Sequence, residues 1–186
     1  IAQLADRIMS PNPAMRDSAK IWYPKIIEYS AQGSDELRVT AAWVMGQDNQ
    51  SAEFHAALLR QLSDANPMVR RNAALSLVRF ADSSGHDIVA GMLAPYAMVA
   101  PRSGVLEIRL KPGDVINPGT LLAHIVVTGE KTEMRSEVPG KILDWTSPNH
   151  AQVESGRPLL LVDPSPEMAW ESLRALYLIG TKEDLP

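Results

Sequence analysis

A helix-forming pattern that returns in register constrains this chain more than any other feature. Pro67-Met-Val-Arg70-Arg-Asn-Ala73-Ala74-Leu-Ser-Leu77 places apolar residues at helical spacing. It does so behind a proline at the helix start, where the missing N–H has no intrahelical partner to lose. Asp64 and Asn66 lie just upstream as candidate caps. The pattern returns as Leu37-Arg38-Val-Thr-Ala41-Ala42-Trp43-Val-Met45, so that Leu37 falls on Val69, Ala41 on Ala73 and Met45 on Leu77, and more loosely as Pro13-Ala-Met15-Arg16-Asp-Ser-Ala19. Second helices are expected between them: Ala52 to Leu62, carrying Phe54, Leu58, Leu59 and Leu62, and a shorter one around Asp87 to Leu93. Such a unit cannot bury its apolar face alone and must stack on its neighbours. Trp22, Trp43 and Trp170 occupy helical repeat positions and are expected in the core or between repeats.

Paired helices with Ala41-Ala42 and Ala73-Ala74 resemble HEAT-type repeats, in which the small pair lets neighbouring helices approach closely. The pattern resumes at Ser165-Pro166 to Gly180, with Met168 on Val69, Ser172 on Ala73 and Leu176 on Leu77, but with Ala169 where the other copies carry arginine. Glu183-Asp-Leu-Pro186 resembles the opening of a second repeat helix. The expectation is that the protein continues beyond Pro186, and that more chain or a partner caps the last repeat. At the other end, Ile1 in place of methionine leads us to expect processing, an engineered start or a missing amino-terminal piece, with room for a signal peptide or anchor.

Between the helical stretches, Val99 to Asp163 repeats itself in another way. Gly140, Ile142, Val153, Gly156, Leu159 and Leu161 echo Gly104, Leu106, Ile116, Gly119, Leu122 and Ala123 at a nearly constant offset, as an internal duplication does. Val99, Val105, Ile108 and Leu110 alternate with more polar neighbours, as in half-buried strands. Lys111-Pro-Gly-Asp114 has the chemistry of a tight turn. The whole segment resembles the biotinyl/lipoyl domain, a barrel-sandwich of two quasi-symmetric halves. That family presents a lysine on a central hairpin for attachment of lipoate or biotin. Counting forward from Gly119 and back from Gly140, the resemblance puts the attachment position at Gly129. Lys131, two residues on in Thr128-Gly-Glu-Lys-Thr-Glu133, is the alternative acceptor; the plainer reading is a solvated lysine between Glu130 and Glu133. Unmodified barrels of this type also resemble docking domains of periplasmic adaptor proteins in efflux and secretion systems. Those usually insert a helical hairpin at this tip, whereas here the connection is short.

Composition narrows the function classes. The net charge of −4 is mixed along the chain, with no basic stripe for nucleic acid. With no cysteine there is no disulfide, thiolate metal site or haem-attachment motif, which suits an oxidising compartment. No apolar run is long enough to span a membrane. His55, His86, His124 and His150 are scattered, without a paired spacing for metal. Ser83-Ser84-Gly-His86 brings serine and histidine together but lacks an orienting third group, so a connecting loop explains it better. Trp145 and Pro148, in the barrel turn Asp144-Trp-Thr-Ser-Pro-Asn149, are the candidate partner-binding residues, since interfaces concentrate aromatics.

The expected fold class is therefore α+β and multidomain: HEAT-like repeats over 1–95, a biotinyl/lipoyl-like barrel-sandwich over 96–164, and the start of a further repeat over 165–186. No catalytic, metal or cofactor site is expected. The expected function is a non-catalytic scaffold or accessory subunit contacting other proteins in a larger bacterial, membrane-associated complex, leaning toward the periplasmic side. The alternatives are a carrier modified on Lys131 and an adaptor in a transport or secretion assembly.

Overall fold

The computed structural model describes residues 2–184, which divide into two compact units. Residues up to Gly91, and again from Glu171, form a helical unit; Met92–Trp170 form a unit that carries the strands. The fold is α+β and multidomain, a helical repeat region followed by a β region.

Seven helices precede the strands: α1 (Ala2–Ile8), α2 (Pro13–Lys20), α3 (Tyr23–Gln32), α4 (Asp35–Met45), α5 (Ala52–Gln61), α6 (Pro67–Val78) and α7 (His86–Gly91). After the strands comes α8 (Pro166–Ile179). Side chains close the helix starts. Asn66 Oδ1 accepts the Met68 N–H at 2.8 Å, and Ser34 and Ser51 do the same for Leu37 and Phe54, each cap stabilising by about 1 kcal/mol. Asp64, the other candidate cap, instead accepts from the Asn66 N–H and from Arg38.

The arginine of the repeat has a structural reason. Arg16 donates to the carbonyls of Ser10 and Pro11, Arg38 to Gly33, and Arg70 to Asp64 and Ala65. Each side chain folds back over the loop before its own helix and satisfies carbonyls that the turn leaves open. Ala169 has no side chain able to make this closure. Behind the loops, α3, α4, α5 and α6 enclose Ile26, Met45, Phe54, Leu58 and Leu77, all fully buried, with the Tyr23 and Phe54 rings 4.1 Å apart. Full burial of such a side chain contributes roughly 1.5–3 kcal/mol.

The tryptophans depart from expectation. Trp22, Trp43 and Trp170 are all exposed by two-fifths or more. The inward side of α4 is built from Ala41, Ala42, Val44 and Met45, and Trp43 projects from the opposite stripe. Close stacking needs small inward residues, and an indole there would hold the helices apart. From Glu171 onward α8 continues the stack: Ala175 joins Ala74, Val78 and Val89 in one buried cluster, and Ser172 Oγ donates to the Val89 carbonyl at 2.6 Å. The expected opening of a second helix at Glu183 is a short 3-10 turn over Lys182–Asp184; Leu185 and Pro186 lie outside the described residues.

The β unit holds β1 (Tyr96–Val99), β2 (Gly104–Ile108), β3 (Val115–Ile116), β4 (Leu121–Val127), β5 (Glu130–Arg135), β6 (Gly140–Trp145), β7 (Gln152–Val153) and β8 (Pro158–Pro164). They form two antiparallel sheets, ordered β1-β8-β6-β3 and β5-β4-β2-β7. The sequence duplication appears as strand exchange. β3 of the first half pairs with β6 of the second through Ile116↔Gly140, and β7 of the second pairs with β2 of the first through Val153↔Gly104. The matched glycines have one cause. A β-carbon on Gly140 would run into the Asp163 carbonyl, and one on Gly104 would lie 2.7 Å from the Val126 carbonyl. At Val99 and Val105 the expected inward parity is displaced by one residue, whereas Ile108 and Leu110 are half-buried and share the parity of Leu106. Met98, Ala100 and Leu106 are buried, whereas Val99 is exposed and Val105 only half-buried. A strand's side-chain period is two, so an assignment displaced by one residue exchanges the two faces.

Candidate functional site

The β4–β5 hairpin carries the expected attachment position. Val127↔Glu130 is its last pair, leaving Thr128 and Gly129 as a two-residue tip with φ of 47° and 88°. Positive φ at both positions is the type I′ geometry that matches strand twist, and glycine adopts it without strain. No atom outside its chain neighbours comes within 4 Å of a β-carbon placed on Gly129. The tip is thus sterically open, yet it presents no amine.

Lys131 is not at the tip. It lies on β5 opposite Val126, and its Nζ reaches Glu107 Oε2 on β2 at 2.7 Å, spanning the intervening strand. That contact holds the Glu107 carboxyl below the usual carboxylate range. The pair is solvent-exposed and screened, so it adds little stability, but it draws the amine along the sheet and away from the hairpin end. His124 stands opposite both Glu107 and Glu133 in the ladder, and Glu133 pairs with Arg135 at 2.8 Å. No group among the described residues has the donor set to hold a metal ion.

Trp145 and Pro148 are placed differently from each other. Trp145 ends β6 half-buried, with its indole N–H donating to the Leu110 carbonyl at 3.0 Å. Its polar edge is used within the β unit, leaving only part of the ring for a partner. Pro148 is exposed, in a loop pinned by Asn149 Oδ1 accepting the Ile108 N–H and by the His150 N–H donating to the Leu106 carbonyl.

In the helical unit, one contact has the look of catalytic machinery. His55 Nε2 lies 2.6 Å from Asp82 Oδ2, and Asp82 is held below its usual range, chiefly by its hydrogen bonds with Ser84 and further by His55. The preceding repeat contains its counterpart. Tyr23 falls on His55 in the repeat register, and its hydroxyl donates to Asp48 Oδ2 at 2.7 Å. Asp48 and Asp82 each also accept a backbone N–H two residues on, from Gln50 and Ser84. A tyrosine and a histidine therefore do the same work in successive repeats, latching α3 to the loop between α4 and α5, and α5 to the loop between α6 and α7. Burial, then the bond to Asp48, raise the Tyr23 phenol far above its ordinary value. Ser83 and Ser84 form no triad here; Ser84 contributes its backbone to the Asp82 turn. These repeat-equivalent contacts could have been sought in the sequence only by position, because the paired residue types differ.

Residues 23–97 match the family model of HEAT repeats, so the amino-terminal part of the chain is a run of HEAT repeats. No curated protein matches the chain. Among solved structures, the chain is similar to one described as a single-chain, multi-domain long-chain acyl-CoA carboxylase. The identity is 14% and the TM-score 0.37, over 62% of this chain and 13% of that one, so the chain corresponds to a small part of that protein's length.

Proposed function

We propose that this protein is a non-catalytic scaffold or accessory subunit, whose HEAT repeats bind protein partners and whose β unit is a biotinyl/lipoyl-like barrel-sandwich used as a contact surface. Repeat stacks offer extended surfaces that need no reactive group. The exchange of β3 and β7 between two equivalent halves supports the barrel-sandwich reading. The observation that carries the functional one is the hairpin tip. Its two residues are Thr128 and Gly129, and the nearest lysine along the strand, Lys131, is paired with Glu107. The matched latches Tyr23–Asp48 and His55–Asp82 support a structural role for the His55–Asp82 contact, which resembles a catalytic pair. Membrane association, in this proposal, comes through partners; no described helix is long and apolar enough to cross a membrane.

The test is the intact mass of the protein isolated from its own cells in mild detergent, with identification of what co-purifies. The expected result is an unmodified mass and stoichiometric protein partners. A mass increase matching biotin or lipoate, mapped to Lys131 and lost in Lys131→Arg, refutes the proposal and makes the β unit a carrier.

A further inference from the structure

The helices α4, α6 and α8 repeat in register, so rows of equivalent positions cross from one to the next. Trp43, Leu75 and Arg174 form one such row, and Gln47, Arg79 and Leu178 the row beside it. Together they line a groove of about 520 Å³ within the helical unit, a volume in the range of ligand sites. Arg79 caps the end of α6, and α6 lies between α4 and α8: Ser76 Oγ bonds the Ala42 carbonyl on one side, and Ala74 and Val78 pack on Ala175 on the other. Trp43 stands on α4, which α6 already covers. The exposure of these two side chains is therefore set by the stack itself.

The groove is held in place by its own hydrogen bonds. Gln47 Nε2 donates to the Trp43 carbonyl at 2.8 Å, while Gln47 Oε1 accepts from Arg79 Nη1 at 2.7 Å. Asn49 Nδ2 donates to the Arg79 carbonyl at 2.8 Å. A neutral partner thus fixes the Arg79 guanidinium beside the last turn of α4 and leaves its charge uncompensated. Arg16, Arg38 and Arg70 turn back onto loop carbonyls. Arg79 and Arg174 do not, and among the described residues neither has a carboxylate within ion-pair distance. Trp43 is 41% exposed, and its indole N–H has no acceptor among the described residues. Glu171 is the one carboxylate among the described residues that line the groove. The surface therefore offers an indole face and unused donors, with two arginines against one glutamate.

Unused donors and an excess of positive charge call for acceptors that carry negative charge. Helices packed about 8–10 Å apart make the crossing from α4 to α8 roughly 16–20 Å, which an extended chain covers in about five to six residues. Tryptophan and arginine are also the side chains that most often anchor protein contacts. We propose that this groove binds an extended acidic segment of a partner protein, with an apolar side chain against Trp43 and Leu75 and carboxylates on Arg79 and Arg174. The bonds through Gln47 and Asn49 lower the cost of ordering Arg79 when the segment docks. Glu171 repels the same segment and keeps the contact weak. The proposal rests on reading the repeats as a partner-binding surface, and names the chemistry of what that surface takes.

Fluorescence anisotropy of the whole protein with a labelled synthetic hexapeptide of alternating glutamate and leucine tests it, beside a lysine–leucine counterpart and a short single strand of thymidine nucleotides. The acidic peptide is expected to bind saturably, with Kd on the order of 10–100 µM, and more weakly as salt is raised. Trp43→Ala and Arg79→Ala should each weaken it about tenfold, and Glu171→Gln should tighten it severalfold. Unchanged circular dichroism should show that the variants are folded. Arg109→Ala, the same loss of charge at an exposed position of the β unit, should bind like the parent. No saturable binding up to about 1 mM, equal binding of the lysine peptide, or an affinity unaltered in both Trp43→Ala and Arg79→Ala overturns the proposal. Tighter binding of the thymidine strand, lost in Arg79→Ala, overturns it in favour of a nucleic acid. Failure here is distinct from failure of the scaffold reading: no probe binding with protein partners still co-purifying removes the groove alone, and probe binding without co-purifying partners removes the scaffold alone.

Discussion

Replacing Arg38 with alanine should destabilise the helical unit by about 2–4 kcal/mol. The guanidinium donates through Nε and Nη2 to both Asp64 oxygens at 2.8 and 3.0 Å, to Asp35 at 2.8 Å and to the Gly33 carbonyl at 2.9 Å. It thereby ties α4 to the loop that starts α6. Both ends of the Arg38–Asp64 pair are mostly buried, at 18% and 13% exposed. Truncation strands a carboxylate whose remaining partner is the Asn66 N–H. Removing one member of a fully buried pair costs about 3–5 kcal/mol, and the residual exposure here moves the figure down. Arg38→Lys keeps the charge but not the fork, so it should retain no more than about half the stabilisation. Urea unfolding followed by far-ultraviolet circular dichroism measures both. The pair also fixes a pH dependence. Burial pushes the Asp64 carboxyl up, but its bonds from Arg38 and Asn66 outweigh that and hold it below the ordinary carboxylate value. Its contribution is therefore complete above that ordinary value and is lost as pH falls through the depressed one. A loss under about 1 kcal/mol for Arg38→Ala, or a lysine variant as stable as the parent, refutes the claim that this fork registers neighbouring repeats.

Gly46→Val should cost about 1–3 kcal/mol in the same assay, because the new β-carbon runs into Ser76 Cβ, whose hydroxyl is already committed to the Ala42 carbonyl. His86 bridges Asp184 at 2.9 Å and Asp87 at 3.1 Å, and these bonds raise its imidazole pKa while Asp184 is held low, first by the Thr181 N–H and then by His86. The tether of the Lys182–Asp184 turn to α7 should therefore be complete between the ordinary carboxylate value and the ordinary imidazole value. It should weaken above the latter and be lost as pH rises through the raised imidazole value, and likewise as pH falls through Asp184's depressed value. Amide exchange at Thr181, which donates to Asp184 at 2.6 Å, should show both edges, and His86→Gln should remove the alkaline one.

Much of the helical unit was legible from residues that the stack constrains to be small or to cap. Ala41-Ala42, Ala73-Ala74, Asn66 and the arginines at 16, 38 and 70 each have one physical task, and their types show through. The loop-closing function of those arginines did not show, because the partners of Arg16 and Arg70, and one of those of Arg38, are backbone carbonyls, which any residue supplies. The tryptophans misled for the opposite reason. Hydrophobicity favours burial, but close inter-helix spacing excludes an indole from the inward stripe, and only the spacing reveals this. In the β unit the duplication was visible in Gly104 and Gly140, where carbonyls approach too closely for a side chain. The inward parity of β1 and β2 was not, since valines and isoleucines occupy both faces. At the hairpin, counting placed Gly129 at the tip, while the Lys131–Glu107 contact depends on the cross-strand register of three strands, which no local pattern specifies.

The Val89–Ser172 hydrogen bond and the β1–β8 ladder bear on how one polypeptide can hold a second unit inside a repeat array. Joining α7 to the later part of α8 through a long unstructured chain would carry a loop-closure entropy that grows with its length. Here the segment that leaves after Gly91 returns beside its own beginning, Tyr96 paired with Val162, and the helical unit closes its seam independently at Val89 and Ser172. Each unit thus provides its own ring closure. Repeat-to-repeat coupling can pass from α6 to α8 as though the intervening residues were a short turn, and variation within the β unit need not be transmitted along the helices.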